Sequence, residues 1–237
     1  MVAHRGASAE LPENTIAAFR RAAECGADAV ELDVRPCASG ELVVFHDDDL
    51  RRLTGQPGAV ERWSLPALRR LRVAGYHPLP TLNEVLEELA PTGLGINLEL
   101  KTNRRTRTSL PASLVRALHG NRARAQLLVS SFDPVALAVV RRRDPVLPVG
   151  LLFHGKLARP LARGWAASLL RPLSVHPERH LVTAERMSFW RRSGWLVATW
   201  TADREKELRR LNDLGVDAVI TNDPARALAC YGVPSPR

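Results

Sequence analysis

Short apolar runs rich in β-branched residues alternate with amphipathic helical stretches along the whole of this chain, and that alternation restricts its fold more than any other feature. The runs fall at Val2-Ala3, Ala29 to Val34, Gly95 to Leu100, Gln126 to Ser130, Val149 to Phe153, Leu173 to Val175, Trp195 to Thr199 and Ala218 to Thr221. The helices between them carry their own punctuation. Asn14 to Cys25 is stopped by Gly26, and Thr81-Leu82-Asn83-Glu84 reads as a capping box. Asp133-Pro134 and Asp223-Pro224 each pair an N-cap with proline at the first helical position, and Asp203 is expected to cap a helix running to Leu214.

One further strand-like run, Leu42 to His46, follows the second strand after only Arg35 to Glu41, too short for a parallel crossover of about a dozen residues. It is expected to fold back as an antiparallel hairpin, placing His46 opposite Asp33. Residues 47 to 80, rich in Arg, Gly and Pro, form the longest connection, with a short helix expected near Leu65 to Leu71. Eight parallel strands in 237 residues, with no composition break or linker, read as a single α/β domain spanning 1–237 and closed as a (β/α)8 TIM barrel with a hairpin extension after strand two. A doubly wound open sheet is the alternative, and its Gly-rich phosphate fingerprint is absent.

No apolar run approaches the ~18 residues that span a bilayer, and Met1 leads straight into Val2-Ala3-His4 with no signal-like stretch. Cys25, Cys37 and Cys230 form no C-x-x-C pair, which points to free thiols in a reducing compartment; a cytoplasmic location is the expectation. The net charge of +9 favours anionic partners. Its 34 basic residues include only three lysines, Lys101, Lys156 and Lys206. Arginine clusters such as Arg104-Arg105 read mainly as solvated faces, with a transient anionic lipid contact as their one functional possibility. Basic and aromatic residues do not interleave as in nucleic-acid-binding motifs, so no nucleic-acid partner is expected.

In a barrel, chemistry sits at the C-terminal strand ends. There the sequence places His4-Arg5, then Glu31-Leu32-Asp33, His46-Asp47 and Glu99-Leu100-Lys101. Residues at i and i+2 of a strand share a face, so Glu31, Asp33, Glu99 and Lys101 converge. Three crowded carboxylates repel unless a cation joins them, and oxygen-only ligation selects a hard divalent ion, Mg2+ or Ca2+. His4 and His46 suit proton exchange near neutral pH, while Arg5 and Lys101 suit developing phosphoryl charge. His176, at the end of the sixth strand, and Trp200 are expected to touch substrate, with a loop or capping role as the alternative for His176; His154 is a further pocket-lining candidate.

His4-Arg5-Gly6, Pro12-Glu13-Asn14-Thr15, Glu31-Leu32-Asp33, Val43-Val44-Phe45-His46-Asp47, Pro80-Thr81-Leu82, Asn97-Leu98-Glu99-Leu100-Lys101, Ser131-Phe132 and Trp200-Thr201 follow the order and spacing of glycerophosphodiester phosphodiesterases, which the chain resembles over nearly its whole length. The resemblance implies a metal-dependent barrel hydrolase that releases sn-glycerol 3-phosphate and an alcohol from a small-molecule glycerophosphodiester. It implies His4 and His46 as the acid/base pair and Glu31, Asp33 and Glu99 as ligands of one divalent cation. Arg5 and Lys101 then hold phosphate, and Asn14 gives support. Two positions depart from the family pattern: Ser39-Gly40 at the hairpin turn where Asp-Gly is usual, and Thr221-Asn222 where Thr-Asp is frequent. The competing readings are a lysophospholipase D-like activity on lysolipids and a non-catalytic barrel that binds phosphate esters or anionic membranes. The oligomeric state is not set by the sequence.

Overall fold

A computed structural model describes residues 1–156 and 164–232; the expected domain span of 1–237 also takes in 157–163 and 233–237, which lie outside the described residues. The strands are β1 (Val2–His4), β2 (Ala29–Pro36), β3 (Leu42–Val44), β4 (Arg72–Val73), β5 (His77–Pro78), β6 (Gly95–Leu100), β7 (Leu127–Ser131), β8 (Val149–Phe153), β9 (Ser174–Pro177), β10 (Leu196–Thr199) and β11 (Ala218–Thr221). Eight of them, β1, β2 and β6 to β11, run parallel, and pairing of β1 with both β2 and β11 closes the barrel. The closure follows from the hydrophobic alternation, because each strand must be buried on both faces: Val30, Leu32 and Val34 of β2 and Ile96, Leu98 and Leu100 of β6 all lie in one continuous core.

The expected hairpin forms, one residue out of register. Val34 pairs with Val44, and the Phe45 N–H donates to the Asp33 carbonyl at 2.9 Å, so Phe45 rather than His46 stands opposite Asp33. The reason is a three-residue loop, Ala38-Ser39-Gly40, in which Gly40 takes φ +99°. The connection from 47 to 80 has its own small core, in which Cys37, Val43, Phe45, Leu50, Val60, Leu68, Val73 and Leu79 are buried. It holds short helices α2 (Arg51–Thr54) and α3 (Leu65–Leu68) and an unanticipated β4–β5 hairpin whose two-residue strands are too short to show a period.

The barrel helices are α1 (Ile16–Glu24), α4 (Leu82–Leu89), α5 (Ser109–Ala117), α6 (Pro134–Arg143), α7 (Ala166–Leu170), α8 (Ala184–Arg192), α9 (Glu205–Asp213) and α10 (Pro224–Cys230). The capping box at Thr81 and Glu84 makes both its bonds, and Asp133 and Asp223 cap α6 and α10. Two helix starts differ from expectation. Thr15, not Asn14, caps α1, which frees Asn14 for the site. Asp203 does not cap α9, because its carboxylate is taken by Thr221 and Asn222.

Gly6 sets how β1 hands the chain to α1. Its φ is +82°, and a Cβ there would lie 2.6 Å from the carbonyl carbon of Ala18 in α1. Gly6→Ala combines left-handed strain with a backbone clash that no rotamer relieves, so a loss of about 2–4 kcal/mol is expected. Urea unfolding checks it: a midpoint within error of the wild type would show that the β1–α1 packing is loose.

Candidate active site

Strand register alone assembles the mouth. His4 is the Cα partner of Glu31 and Glu31 of Asn97, while Asp33 is the partner of Glu99 one layer further along. Period-two alternation turns these side chains into the barrel, where one ligand atom each from Glu31, Asp33 and Glu99 lies within 4.8 Å of the others. Glu31 and Glu99 open, with His4, Arg5, His46 and Lys101, on a cavity of about 210 Å³ walled by Phe132, Leu152 and Trp200, and Asp33 lies buried behind them.

Cations from the protein cover this cluster incompletely. Lys101 Nζ pairs with Glu99 and lies 3.1 Å from Asp33 Oδ1. Arg5 Nε is 3.2 Å from Asp33 Oδ2, which also accepts from Asn14 Nδ2 at 2.8 Å. Burial opposes charge on Asp33, but Lys101 and Arg5 outweigh it and hold the carboxyl below its usual range. Glu31 fares otherwise. Its Oε2 accepts the Arg5 backbone N–H at 3.1 Å, while its buried Oε1 has no hydrogen-bond partner among the described residues. Burial, then the charges of Asp33 and Glu99, raise Glu31 well above the ordinary carboxylate range, and burial raises Glu99 as well.

A carboxyl raised on folding contributes stability that is complete below its unfolded value near ~4.3 and is lost as pH rises through the folded one. Glu31→Gln removes that charge while keeping the shape. We expect the variant, in chelator, to be more stable than the parent by about 1–3 kcal/mol at pH 8, with a smaller gain at pH 5. Thermal unfolding at the two pH values measures it; destabilisation at pH 8 would mean that Glu31 is satisfied where it stands.

The two histidines are held by different partners. His4 Nδ1 is 2.7 Å from Asn222 Oδ1, and its Nε2 is 3.8 Å from Glu31 Oε2. Burial, followed by the neighbouring Arg5, pushes the His4 imidazole down to about 4. His46 Nδ1 is 2.7 Å from Asp47 Oδ1, whose carboxylate is gripped by Arg52. Arg35 fixes the His46 backbone, donating Nε and Nη2 to its carbonyl at 3.0 and 2.8 Å.

Of the residues singled out in the sequence, His4, Arg5, Glu31, Asp33, His46, Glu99, Lys101 and Trp200 come together. Trp200 packs edge-on against Phe132 with centroids 5.5 Å apart; the His154 ring lies 5.5 Å from that of Phe132 but does not line the cavity. Arg5 also donates from Nη1 to Glu13 at 2.8 Å, so its fork is only partly turned to the cavity. His176 does not join them. It is 3% exposed, bonds through Nε2 to Ser174 Oγ at 2.8 Å, and lines a separate cavity of about 510 Å³ at the N-terminal end of the barrel. Burial pushes its imidazole down to about 4. Sequence reasoning passed over Arg35 and Asn97, although both share the inward period, two residues beyond Asp33 and two before Glu99.

Fold and mouth together define a class, a barrel enzyme that works on phosphate esters. The family model described as "Glycerophosphoryl diester phosphodiesterase family" matches residues 4–226. A glycerophosphodiester phosphodiesterase of Caldanaerobacter subterraneus subsp. tengcongensis is 34% identical over 233 residues, 94% of each chain. One from Bacillus altitudinis is 29% identical over 95% of each chain. Among solved structures, an Oleispira antarctica phosphodiesterase in complex with the product sn-glycerol-3-phosphate superposes with a TM-score of 0.91 at 29% identity, covering 98% of this chain and 96% of that one. The chain belongs to the glycerophosphoryl diester phosphodiesterase family.

Proposed function

We propose that the mouth hydrolyses small glycerophosphodiesters to sn-glycerol 3-phosphate and an alcohol, with Glu31, Asp33 and Glu99 holding one divalent cation, Mg2+ or Ca2+. The observation that carries the reading is the carboxylate triad itself. Its unpartnered Glu31 Oε1 and all-oxygen donors fit a hard ion. When bound, such an ion supplies Lewis-acid polarisation of the phosphoryl oxygens. The remaining work falls to the chain. Arg5 and Lys101 neutralise phosphate charge and orient it. His4, whose Nδ1 is engaged by a neutral amide, accepts the proton of the attacking oxygen, and His46, backed by the Asp47 carboxylate, delivers one to the leaving alkoxide. The attacking oxygen is that of water or of the glycerol 2-hydroxyl.

A mouth of about 210 Å³ suits a glycerol phosphate better than a lysolipid with its acyl chain. The product bound by the Oleispira antarctica relative is consistent with that choice. We take 1–237 as one domain, and the cytoplasm as its compartment on the strength of three free cysteines. No helix among the described residues is long and apolar enough to cross a membrane. The test is glycerol 3-phosphate release from glycerophosphocholine and several other head-group diesters, with and without EDTA, the chelator then being titrated back with Mg2+ or Ca2+. Metal-restored release is expected; release equal in EDTA, or none from any diester, would sink the reading.

A further inference from the structure

Two side chains outside the mouth, Asp203 and Asn222, stand behind His4. Asp203 lies on the loop after β10 and Asn222 just beyond β11. The Asp203 carboxylate accepts three hydrogen bonds: Oδ1 from Thr221 Oγ1 at 2.9 Å and from the Asn222 backbone N–H at 2.8 Å, and Oδ2 from Asn222 Nδ2 at 2.8 Å. A carboxylate only accepts, so the amide nitrogen of Asn222 must face Asp203 and its oxygen must face the other way. That oxygen lies 2.7 Å from His4 Nδ1 and 3.0 Å from Ser8 Oγ. An amide oxygen also only accepts, so Nδ1 of His4 carries the hydrogen. A neutral imidazole has one such hydrogen, and Nε2 is left as a lone pair at the cavity wall.

We propose that Asp203 and Asn222 are positioning residues, a two-residue relay that locks His4 as the Nδ1–H tautomer and so makes Nε2 its proton acceptor. The proposal rests on the reading of His4 as the base, and it goes beyond that reading in assigning the tautomer and the residues that set it. It also gives Asp203 a task in place of the helix cap its position suggests. An amide supports this tautomer while stabilising a charged ring less than a carboxylate at 222 would.

Long-range 15N–1H spectra of protein labelled in histidine test it, with the His4 signals identified by their loss in His4→Gln. The wild type should show the Nδ1–H pattern at His4; an Nε2–H pattern overturns the relay without need of any variant. Asp203→Asn sets two amides face to face and frees Asn222 to turn its nitrogen toward His4. This variant should populate Nε2–H and lower kcat by ~10–100-fold with KM little changed. The exchange variant Asp203→Asn/Asn222→Asp reverses the bond between the two side chains, leaves an acceptor facing His4 Nδ1, and should return the Nδ1–H signal. Overturning results are an unchanged His4 tautomer and kcat in Asp203→Asn, or the same tautomer in the single and exchange variants. A wild type with Nδ1–H at His4 but no turnover of any diester supports the relay and sinks only the catalytic reading.

Discussion

His4→Ala and His46→Ala are each expected to lower kcat for glycerophosphodiester cleavage by ~10²–10⁴-fold, the usual worth of a positioned acid or base, while KM changes less than a few-fold. The split follows from how the site divides its labour. In the function proposed above, phosphate charge is met by Arg5, Lys101 and whatever the carboxylates hold, and none of these depends on an imidazole for its place. Arg5 is anchored by Glu13 and Asp33, and Lys101 by Asp33 and Glu99. The histidines instead face the cavity with one nitrogen each engaged at the rear, His4 by Asn222 and His46 by Asp47. On that reading, removing either should leave binding intact and one proton transfer without its carrier. Steady-state kinetics together with calorimetric binding of glycerol 3-phosphate check both halves. Near-wild-type kcat in both variants would remove the acid/base assignment; a loss of product affinity equal to the loss of rate would move the histidines into phosphate binding.

The same site shows why some of the molecule was legible in the sequence and some was not. Strands such as Gly95–Leu100 and Val149–Phe153 fall where the hydrophobic runs place them, because a strand buried on both faces leaves an unbroken apolar signature. The carboxylate triad was legible for a related reason: Glu31, Asp33 and Glu99 are polar interruptions of such runs, and parallel register then decides their neighbours. The hairpin register was not, since a turn of two or three residues around Gly40 changes no composition yet shifts His46 off Asp33. Asp203 shows another limit. An aspartate before a helix is normally its cap, and only the arrival of Asn222 from the neighbouring strand end gives it a better partner. His176 looked like a mouth residue from its place near a strand terminus, but β9 carries it inward toward Ser174 and the opposite end of the barrel. The hairpin and His176 turn on a single residue of register or facing, and Asp203 on a partner from a neighbouring strand end, none of which local pattern encodes.

Lys101→Met is expected to be the most destabilising substitution at the mouth, by about 3–5 kcal/mol, the cost of removing one partner from a buried ion pair. Lys101 is the only side chain ion-paired to both Asp33 and Glu99 among the described residues, and its own side chain is 14% exposed, so little water stands ready to replace it. Burial works against its charge, but Asp33 and Glu99 overcome that and raise the ammonium above the ordinary lysine range. Methionine keeps the apolar stem and deletes the charge. Asp33 then retains Arg5 and Asn14, whereas Glu99 loses its ion pair beside Glu31, which already lacks one. Against a total stability of ~5–15 kcal/mol the loss is large, and it should appear as a fall of ~6–20 °C in Tm at ~2–4 °C per kcal/mol. The pH dependence has a definite sign. Asp33 is held below its unfolded value near ~3.9, so its contribution is present above that value and lost as pH falls through the folded one. Lys101→Met raises Asp33 and should move that loss to higher pH. If the triad binds a divalent cation, Mg2+ or Ca2+ replaces the missing positive charge and recovers most of the Tm, with a larger rise in the variant than in the wild type. A variant as stable as the wild type in EDTA would show that the carboxylates are protonated and need no counter-charge; a destabilised variant indifferent to both ions would take the cation out of the triad.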